Sequence, residues 1–181
     1  GGEMHSLVVS GSTGKVWSFG LGRYGQLGHG GGGNEQVPRV IEALARVVVT
    51  QVAAGLHHSM ALTSDRDVFT WGAGVNGRLG HGNDVNQLVP KKVESIGGVT
   101  DIAAGDAHSL AVVGEEGAVY AWGYNYQGQL GLGDRVNRLV PTVVPGVSGV
   151  ITVTAGDVHS LALSKHGTVL ACGYNHRGQL G

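Results

Sequence analysis

The amino-acid sequence predicts an all-β fold, a β-propeller assembled from repeated four-stranded blades. The first observation is a repeat: His-Ser pairs recur about every 51 residues, beginning at His5, His58, His108 and His159. The second is that each unit consists of short apolar segments without helical periodicity. The third is glycine, which supplies 34 of 181 residues without a collagen triplet and therefore indicates many turns.

The third unit shows the strand pattern most clearly. VTDIAA at 99–104 ends in a glycine, and HSLAVV follows at 108–113. The turn GEEG leads to AVYAW at 118–122, and a glycine-bounded loop precedes VPTVV at 140–144. Four short strands joined by turns match the size of one propeller blade.

The repeat divides the chain into approximate units at 1–46, 47–97, 98–147 and 148–181, all within one propeller region. The first unit lacks its leading strand and the last lacks the segment that ends in Val-Pro. The sequence thus predicts a partial propeller of about three and a half to four blades. Such a partial ring exposes open sheet edges, so we expect a longer chain or a second subunit to complete it.

The composition argues against several classes of function. The net charge is −1, charged residues make up 14%, and no basic run is present, which argues against direct nucleic-acid binding. No apolar stretch is long enough to predict membrane insertion. The single cysteine, Cys172, excludes an internal disulfide and favours an intracellular location, whether cytoplasmic, nuclear or ciliary.

The stretch GLGRYG at 20–25 matches a dinucleotide-binding fingerprint, and the motif recurs at 72–77. No helix follows to receive a phosphate, so we predict a structural turn and no cofactor. The third motif position alternates between glycine and asparagine, the residues that best tolerate a left-handed backbone. We therefore predict positive φ at the four equivalent residues, which are Gly22, Gly74, Asn125 and Asn175.

The repeated histidines, His5, His58, His108 and His159, are predicted to be structural. We expect each ring to bond the backbone of the turn before it, and no spacing among them suits a metal. His108 and Ser109 point to opposite faces of one strand, so they cannot form a catalytic pair with each other. Trp71 and Trp122 are predicted packing residues, and Cys172 in the same position is a packing substitute rather than a nucleophile.

The repeat unit, with AAGxxHS, GxVxxWG, GQLGxG and VP in order, resembles the regulator-of-chromosome-condensation repeat family over all 181 residues. The resemblance implies a β-propeller that usually has seven such repeats. The family includes the chromatin-bound exchange factor for the small GTPase Ran, giant ubiquitin ligases and a plant ultraviolet-B receptor. One fold thus carries several functions, and the function has to be argued from the surface.

The loop tips after each aromatic-glycine pair differ between units and are the candidate partner-binding residues. Tyrosine and arginine are favoured at protein interfaces. The alternative is that these are ordinary solvated loops. The candidates are Arg23, Tyr24, Asn76, Tyr126, Gln127, His176 and Arg177.

The first functional hypothesis is a non-catalytic propeller that binds other proteins, among them the rest of a propeller. The alternative is guanine-nucleotide exchange on a small Ran-like GTPase, which needs no acid–base residues. Exchange does need a protruding element that displaces the nucleotide. The loops between the last glycine of the motif and the proline all have the same length, so no inserted element of this kind is visible in the sequence. Chromatin association is not favoured, because this sequence shows no basic tail like the one that the family's founder uses. Light sensing is not favoured either, because the tryptophan-rich motif of the ultraviolet-B receptor is absent.

Overall fold

The computed structural model describes residues 1–181 and consists of antiparallel strands in four sheets. Blade 1 contains β1 (His5–Val9), β2 (Val16–Gly20) and β3 (Glu35–Val40). Blade 2 contains β4 (Val49–Ala54), β5 (His58–Thr63), β6 (Val68–Gly72) and β7 (Gln87–Lys92). Blade 3 contains β8 (Val99–Ala104), β9 (His108–Val113), β10 (Ala118–Gly123) and β11 (Arg138–Val143). Blade 4 contains β12 (Val150–Ala155), β13 (His159–Ser164) and β14 (Val169–Gly173).

The predicted all-β partial propeller is confirmed. Strands follow sequence order within each sheet, as in β4-β5-β6-β7, because each connection is a turn or loop between antiparallel neighbours. The first strands of blades 2, 3 and 4 lie side by side, since β4 contacts β8 and β8 contacts β12. The helices are two short 3-10 turns, Glu42–Leu44 and Val75–Gly77. Neither has the length and apolar character needed to cross a bilayer.

The hydrophobic core lies between the blades rather than within any one of them. Met60 and Val68 of blade 2 form one buried cluster with Ile102, Ala111 and Trp122 of blade 3. Similar clusters join blade 1 to blade 2 and blade 3 to blade 4. A single blade therefore cannot bury its own apolar faces, and most of the stabilisation comes from contacts between neighbouring blades.

The prediction of positive φ at Gly22, Gly74, Asn125 and Asn175 is wrong. None of them has a left-handed backbone, and Gly74 has φ −91°. Positive φ occurs instead at the glycine that precedes each of these turns, which is Gly20, Gly72, Gly123 or Gly173. At Gly72 a Cβ atom would lie 2.5 Å from the carbonyl oxygen of His57, so the approach of the neighbouring turn excludes a side chain there.

The alternation of glycine and asparagine has a different cause, which is the path of the returning loop. At Gly22 a Cβ atom would overlap the carbonyl oxygen of Gly33, because that loop folds against the turn. In blade 3 the Asn125 side chain occupies this space. Its Nδ2 donates to the carbonyl of Val136 at 3.2 Å, and its Oδ1 accepts from Leu130 N at 3.0 Å. Asparagine thus replaces close backbone contact with a buried amide that holds the loop.

Candidate partner-binding face

The turns between the first and second strands of a blade lie at the same end as the loops between the third and fourth strands, because neighbouring strands are antiparallel. We call this end the loop face. Adjacent blades meet on it: the ring of Tyr24, in a blade 1 loop, lies 4.8 Å from the ring of His57, in a blade 2 turn. The loops of blades 1 and 2 are therefore in contact on the loop face.

A row of hydrogen bonds between blades, the His–Ser relay, lies directly beneath the loop face. The Nε2 atoms of His5, His58 and His108 lie 2.8, 3.0 and 2.9 Å from a serine Oγ of the following blade. Each of these serines, Ser59, Ser109 and Ser160, donates its hydrogen to a backbone carbonyl at 2.7 to 2.8 Å. Because the hydroxyl has only one hydrogen, the histidine Nε2 must be the donor to serine.

The expected hydrogen bonds from these histidines to the preceding turn are not formed, and that expectation is wrong. The ring packs instead against the glycine of the turn: a Cβ at Gly105 would lie 2.5 Å from His108 Nδ1. The Nδ1 atoms of His5, His58 and His108 have no hydrogen-bond partner. His159, in the last blade, is half-buried and forms no ring hydrogen bond. The repeat held a signal for the relay, because a serine follows each histidine at the same period.

A histidine of one blade thus lies beside a serine of the next blade. The direction of the hydrogen bond between them does not suit nucleophilic catalysis. The serine hydrogen already binds a carbonyl, and the histidine atom beside it carries a hydrogen, so no base faces the hydroxyl. His58 and His108 have no exposed surface. Burial lowers the pKa of His5 and of His108 to about 4. The relay therefore holds neutral histidines that join blades.

The predicted partner-binding residues all lie on the loop face, but they differ in exposure. The side chains of Arg23, Tyr126, His176 and Arg177 are exposed, whereas those of Tyr24, Asn76 and Gln127 are half-buried. Tyr126 is 59% exposed and lies 5.0 Å from the ring of Tyr124. His176 lies edge-on to Tyr174 at 4.8 Å. These contacts between rings orient the exposed side chains before any partner arrives.

An acidic pocket of about 510 Å³ opens among the turns that follow β4, β8 and β12, and sequence reasoning missed it. Its wall includes Glu3, Asp106 and Asp157, each of which lies two residues before a repeated histidine. Burial, and then the charges of Asp157 and Glu3, raise the pKa of Asp106. The signal was present in the sequence, because an acidic residue follows the glycine of GxxHS in three of the four units.

Arg78 is a second feature that sequence reasoning missed. It is 5% exposed and occupies the position that is glutamine in the other three units. Its Nε donates to Val75 O at 3.0 Å, and its Nη1 donates to Asp106 O at 3.1 Å. Burial lowers the pKa of this guanidinium, while the nearby carboxylate of Asp106 acts in the opposite direction. Arg78 thereby ties a loop of blade 2 to a turn of blade 3.

Proteins of known sequence and structure resemble this chain along most of its length. The ultraviolet-B receptor UVR8 of Arabidopsis thaliana is 38% identical over 167 residues, which are 90% of this chain and 38% of the receptor. The crystal structure of human WBSCR16 superposes with a TM-score of 0.90 at 32% identity, covering all of this chain and 48% of that one. Prp20p of Saccharomyces cerevisiae gives a TM-score of 0.81 at 27% identity, covering 92% and 44%.

The chain therefore spans less than half the length of these proteins. The sequence model of the RCC1-like domain matches residues 1–181. The chain belongs to the RCC1-like propeller family.

Proposed function

We propose that this chain is a non-catalytic propeller module that binds protein partners through its loop face. The observation that carries this proposal is a division between buried and exposed loop residues. The buried ones, such as Gln26, Arg78 and Gln129, are committed to hydrogen bonds within their own loop and to the next blade. The exposed ones differ at equivalent positions: Arg23, Val75, Tyr126 and His176.

The chemistry of the exposed positions suits recognition of a protein. Tyr126 and Arg23 bring large contact areas and hydrogen-bond donors, which protein interfaces favour. The guanidinium of Arg23 is already oriented, since its Cζ atom lies 5.7 Å from the centre of the Tyr24 ring. The ring of Tyr126 is oriented by its contact with the ring of Tyr124. Pre-oriented side chains lose less conformational entropy when a partner binds.

Crosslinking of cellular partners to this chain tests the proposal. We expect Tyr24→Ala combined with Tyr126→Ala to reduce crosslinking of cellular partners at least about tenfold, as the loss of two interface residues commonly does. The matched control is Glu115→Ala combined with Glu116→Ala. These residues lie in the β9–β10 turn at the opposite end of the blade. Equal capture by both variants would exclude the loop face as the binding surface.

Guanine-nucleotide exchange is the second candidate, and its support is the likeness to Prp20p, a protein described by its binding to Gsp1p and histones. The loops of this chain favour simple binding over exchange. The β2–β3, β6–β7 and β10–β11 connections cover 21–34, 73–86 and 124–137, so none carries an insertion that could displace a nucleotide. Nucleotide-release assays with Ran-like GTPases should show no acceleration. Clear acceleration would replace the first proposal with this one.

A further inference from the structure

The dipeptide Asn76-Gly77 lies on the loop face of blade 2, within the 3-10 turn Val75–Gly77. It is the one place in the sequence where glycine follows asparagine. Asparagine is a chemically labile residue, and it is most labile before glycine, which has no Cβ to shield its amide nitrogen from reaction with the asparagine side chain. Whether this pair reacts depends on the backbone conformation of Asn76.

The backbone of Asn76 has an unusual conformation, with φ 64° and ψ 14°. The equivalent residues of the neighbouring blades, Tyr24 and Gln127, do not have positive φ. Attack on the side chain requires ψ to rotate until Gly77 N eclipses the Cβ atom of Asn76. At ψ 14° this nitrogen lies on the far side of the Cα–C bond, away from Cβ. The folded turn therefore holds the pair in a conformation that does not react.

Two acceptors hold the amide of Gly77 in this conformation. Its N–H donates to Gly74 O at 3.0 Å and to Asp84 Oδ1 at 2.8 Å. Rotation about ψ of Asn76 would turn the N–H away from both acceptors. Gly77 is buried, so the rotated N–H would lack a water partner as well, and an unpaired buried donor is costly.

The carboxylate acceptor is particular to blade 2. The equivalent amides, Gly25 N and Gly128 N, each donate to a carbonyl of their own turn and to no side chain. The position of Asp84 is occupied by Gly32 in blade 1 and by Arg135 in blade 3. The asparagine-glycine pair therefore lies in the one of these three turns whose amide is held by a side chain.

We propose that Asn76 is a site of spontaneous deamidation and that Asp84 controls its rate. While Gly77 N donates to Asp84, the turn stays in its unreactive conformation. Reaction follows local opening of the loop, so the rate is that of an unrestrained asparagine-glycine pair multiplied by the open fraction. Asp84 lowers this fraction because a hydrogen bond to a charged acceptor is stronger than one to a neutral acceptor.

The reaction uses only the two residues and water. In the opened turn, Gly77 N loses its proton and forms a bond to Cγ of Asn76. The Cγ–Nδ2 bond breaks, and Nδ2 leaves with that proton as ammonia. Water then hydrolyses the five-membered succinimide. Cleavage at Cγ gives aspartate, and cleavage at the original main-chain carbonyl gives isoaspartate.

The product does not restore the original turn. Both products place a second carboxylate in the loop that contains Asp84. Isoaspartate also lengthens the main chain by a methylene group, and it moves into the main chain the carbonyl that accepts from Asn137 Nδ2 at 3.3 Å. Deamidation thus loosens a contact between the loops of blades 2 and 3. This inference goes beyond the proposed partner binding, because it can be measured without a partner.

Mass spectrometry of the whole chain during incubation in neutral buffer tests the proposal. Trypsin releases residues 67–78, and a synthetic peptide of this sequence gives the rate of the unrestrained pair. We expect Asn76 of the folded chain to react at least about tenfold more slowly than the peptide. Asp84→Ala should react roughly five- to tenfold faster than wild type. Arg135→Ala, at the equivalent position of blade 3, is the matched control and should leave the rate at Asn76 unchanged.

Hydrogen exchange separates the loss of one hydrogen bond from general loosening of the fold. In Asp84→Ala, exchange of the Gly77 amide should accelerate, whereas exchange of the Gly128 amide should stay as in wild type. Three results would overturn the proposal. They are a wild-type chain that reacts as fast as the peptide, an Asp84→Ala chain that reacts no faster than wild type, and equal acceleration of exchange at Gly77 and Gly128.

Discussion

His108 of blade 3 donates a hydrogen bond from Nε2 to Ser160 Oγ of blade 4, across 2.9 Å. Ser160 in turn donates to the carbonyl of Gln129, which lies in a loop of blade 3, at 2.7 Å. One hydroxyl thus joins two separate parts of blade 3 to blade 4. Removing it leaves the buried N–H of His108 without a partner and leaves the Gln129 carbonyl with only the weak thiol donor of Cys172, at 3.4 Å, which costs more than the net value of one hydrogen bond.

Loss of a relay serine should destabilise the fold. For Ser109→Ala we expect the free energy of unfolding in urea to fall by roughly 1–3 kcal/mol, because the Nε2–H of His58 loses its partner. Ser6 holds the same place in blade 1, is half-buried and receives no histidine from a preceding blade. Ser6→Ala should therefore cost less than about 0.5 kcal/mol. Equal costs for the two variants would contradict the structural role of the relay.

Stability should depend on pH through the relay histidines. The pKa of His108 is about 4 in the folded protein and 6.5 in the unfolded chain, so the unfolded chain binds more protons between these values. The free energy of unfolding should thus fall as the pH decreases from 6.5 to about 4. Above 6.5 this histidine has no effect. One pKa unit is worth about 1.4 kcal/mol, so His108 alone accounts for roughly 3 kcal/mol.

Urea unfolding at several pH values between 7 and 4 measures this dependence. His108→Gln should flatten the slope, because a buried amide does not titrate. His166→Gln, the same substitution at an exposed residue of the β13–β14 turn, serves as the control. An unchanged slope in His108→Gln would show that other groups carry the acid sensitivity.

The glycines that receive the histidine rings should not tolerate alanine. For Gly105→Ala we expect a loss of roughly 1–3 kcal/mol, because the new Cβ would lie 2.5 Å from His108 Nδ1 and force the buried ring to move. A Cβ atom added at Gly97 would meet no other atom within 4 Å, so Gly97→Ala should be neutral within about 0.5 kcal/mol. Thermal and urea unfolding measure both variants. A neutral Gly105→Ala would mean that the ring has room to shift.

A second set of hydrogen bonds between blades is centred on Asp101, in the first strand of blade 3. Its Oδ1 accepts from Gln51 Nε2 of blade 2 at 2.8 Å, and its Oδ2 accepts from Thr152 Oγ1 of blade 4 at 2.7 Å. We expect Asp101→Ala to lower the free energy of unfolding by roughly 2–3 kcal/mol, since hydrogen bonds to a charged group are stronger than neutral ones. Asp65 is an exposed turn residue, and Asp65→Ala should have little effect. Equal losses of unfolding free energy in the two variants would show that Asp101 does not link the blades.

The sequence predicted the strands and the order of the blades because these features depend on local patterns. Short apolar runs, glycine turns and a fixed period are visible in one unit and repeated in the next. The role of the third motif position was wrongly predicted because glycine and asparagine share a tolerance for positive φ. At Gly22 and Asn125 the deciding factor was the approach of a loop about ten residues further along the chain, which no local pattern shows.

By itself, the sequence determined that the chain folds into repeated β blades with tryptophan at two equivalent packing positions. Only the tertiary structure decided which atoms meet between blades. The serine that receives His108 is 52 residues away, and the distance between them depends on how one blade is rotated against the next. That rotation also brings the thiol of Cys172 to the carbonyl of Gln129, because the two residues lie in different blades whose separate sequences give no indication of the contact.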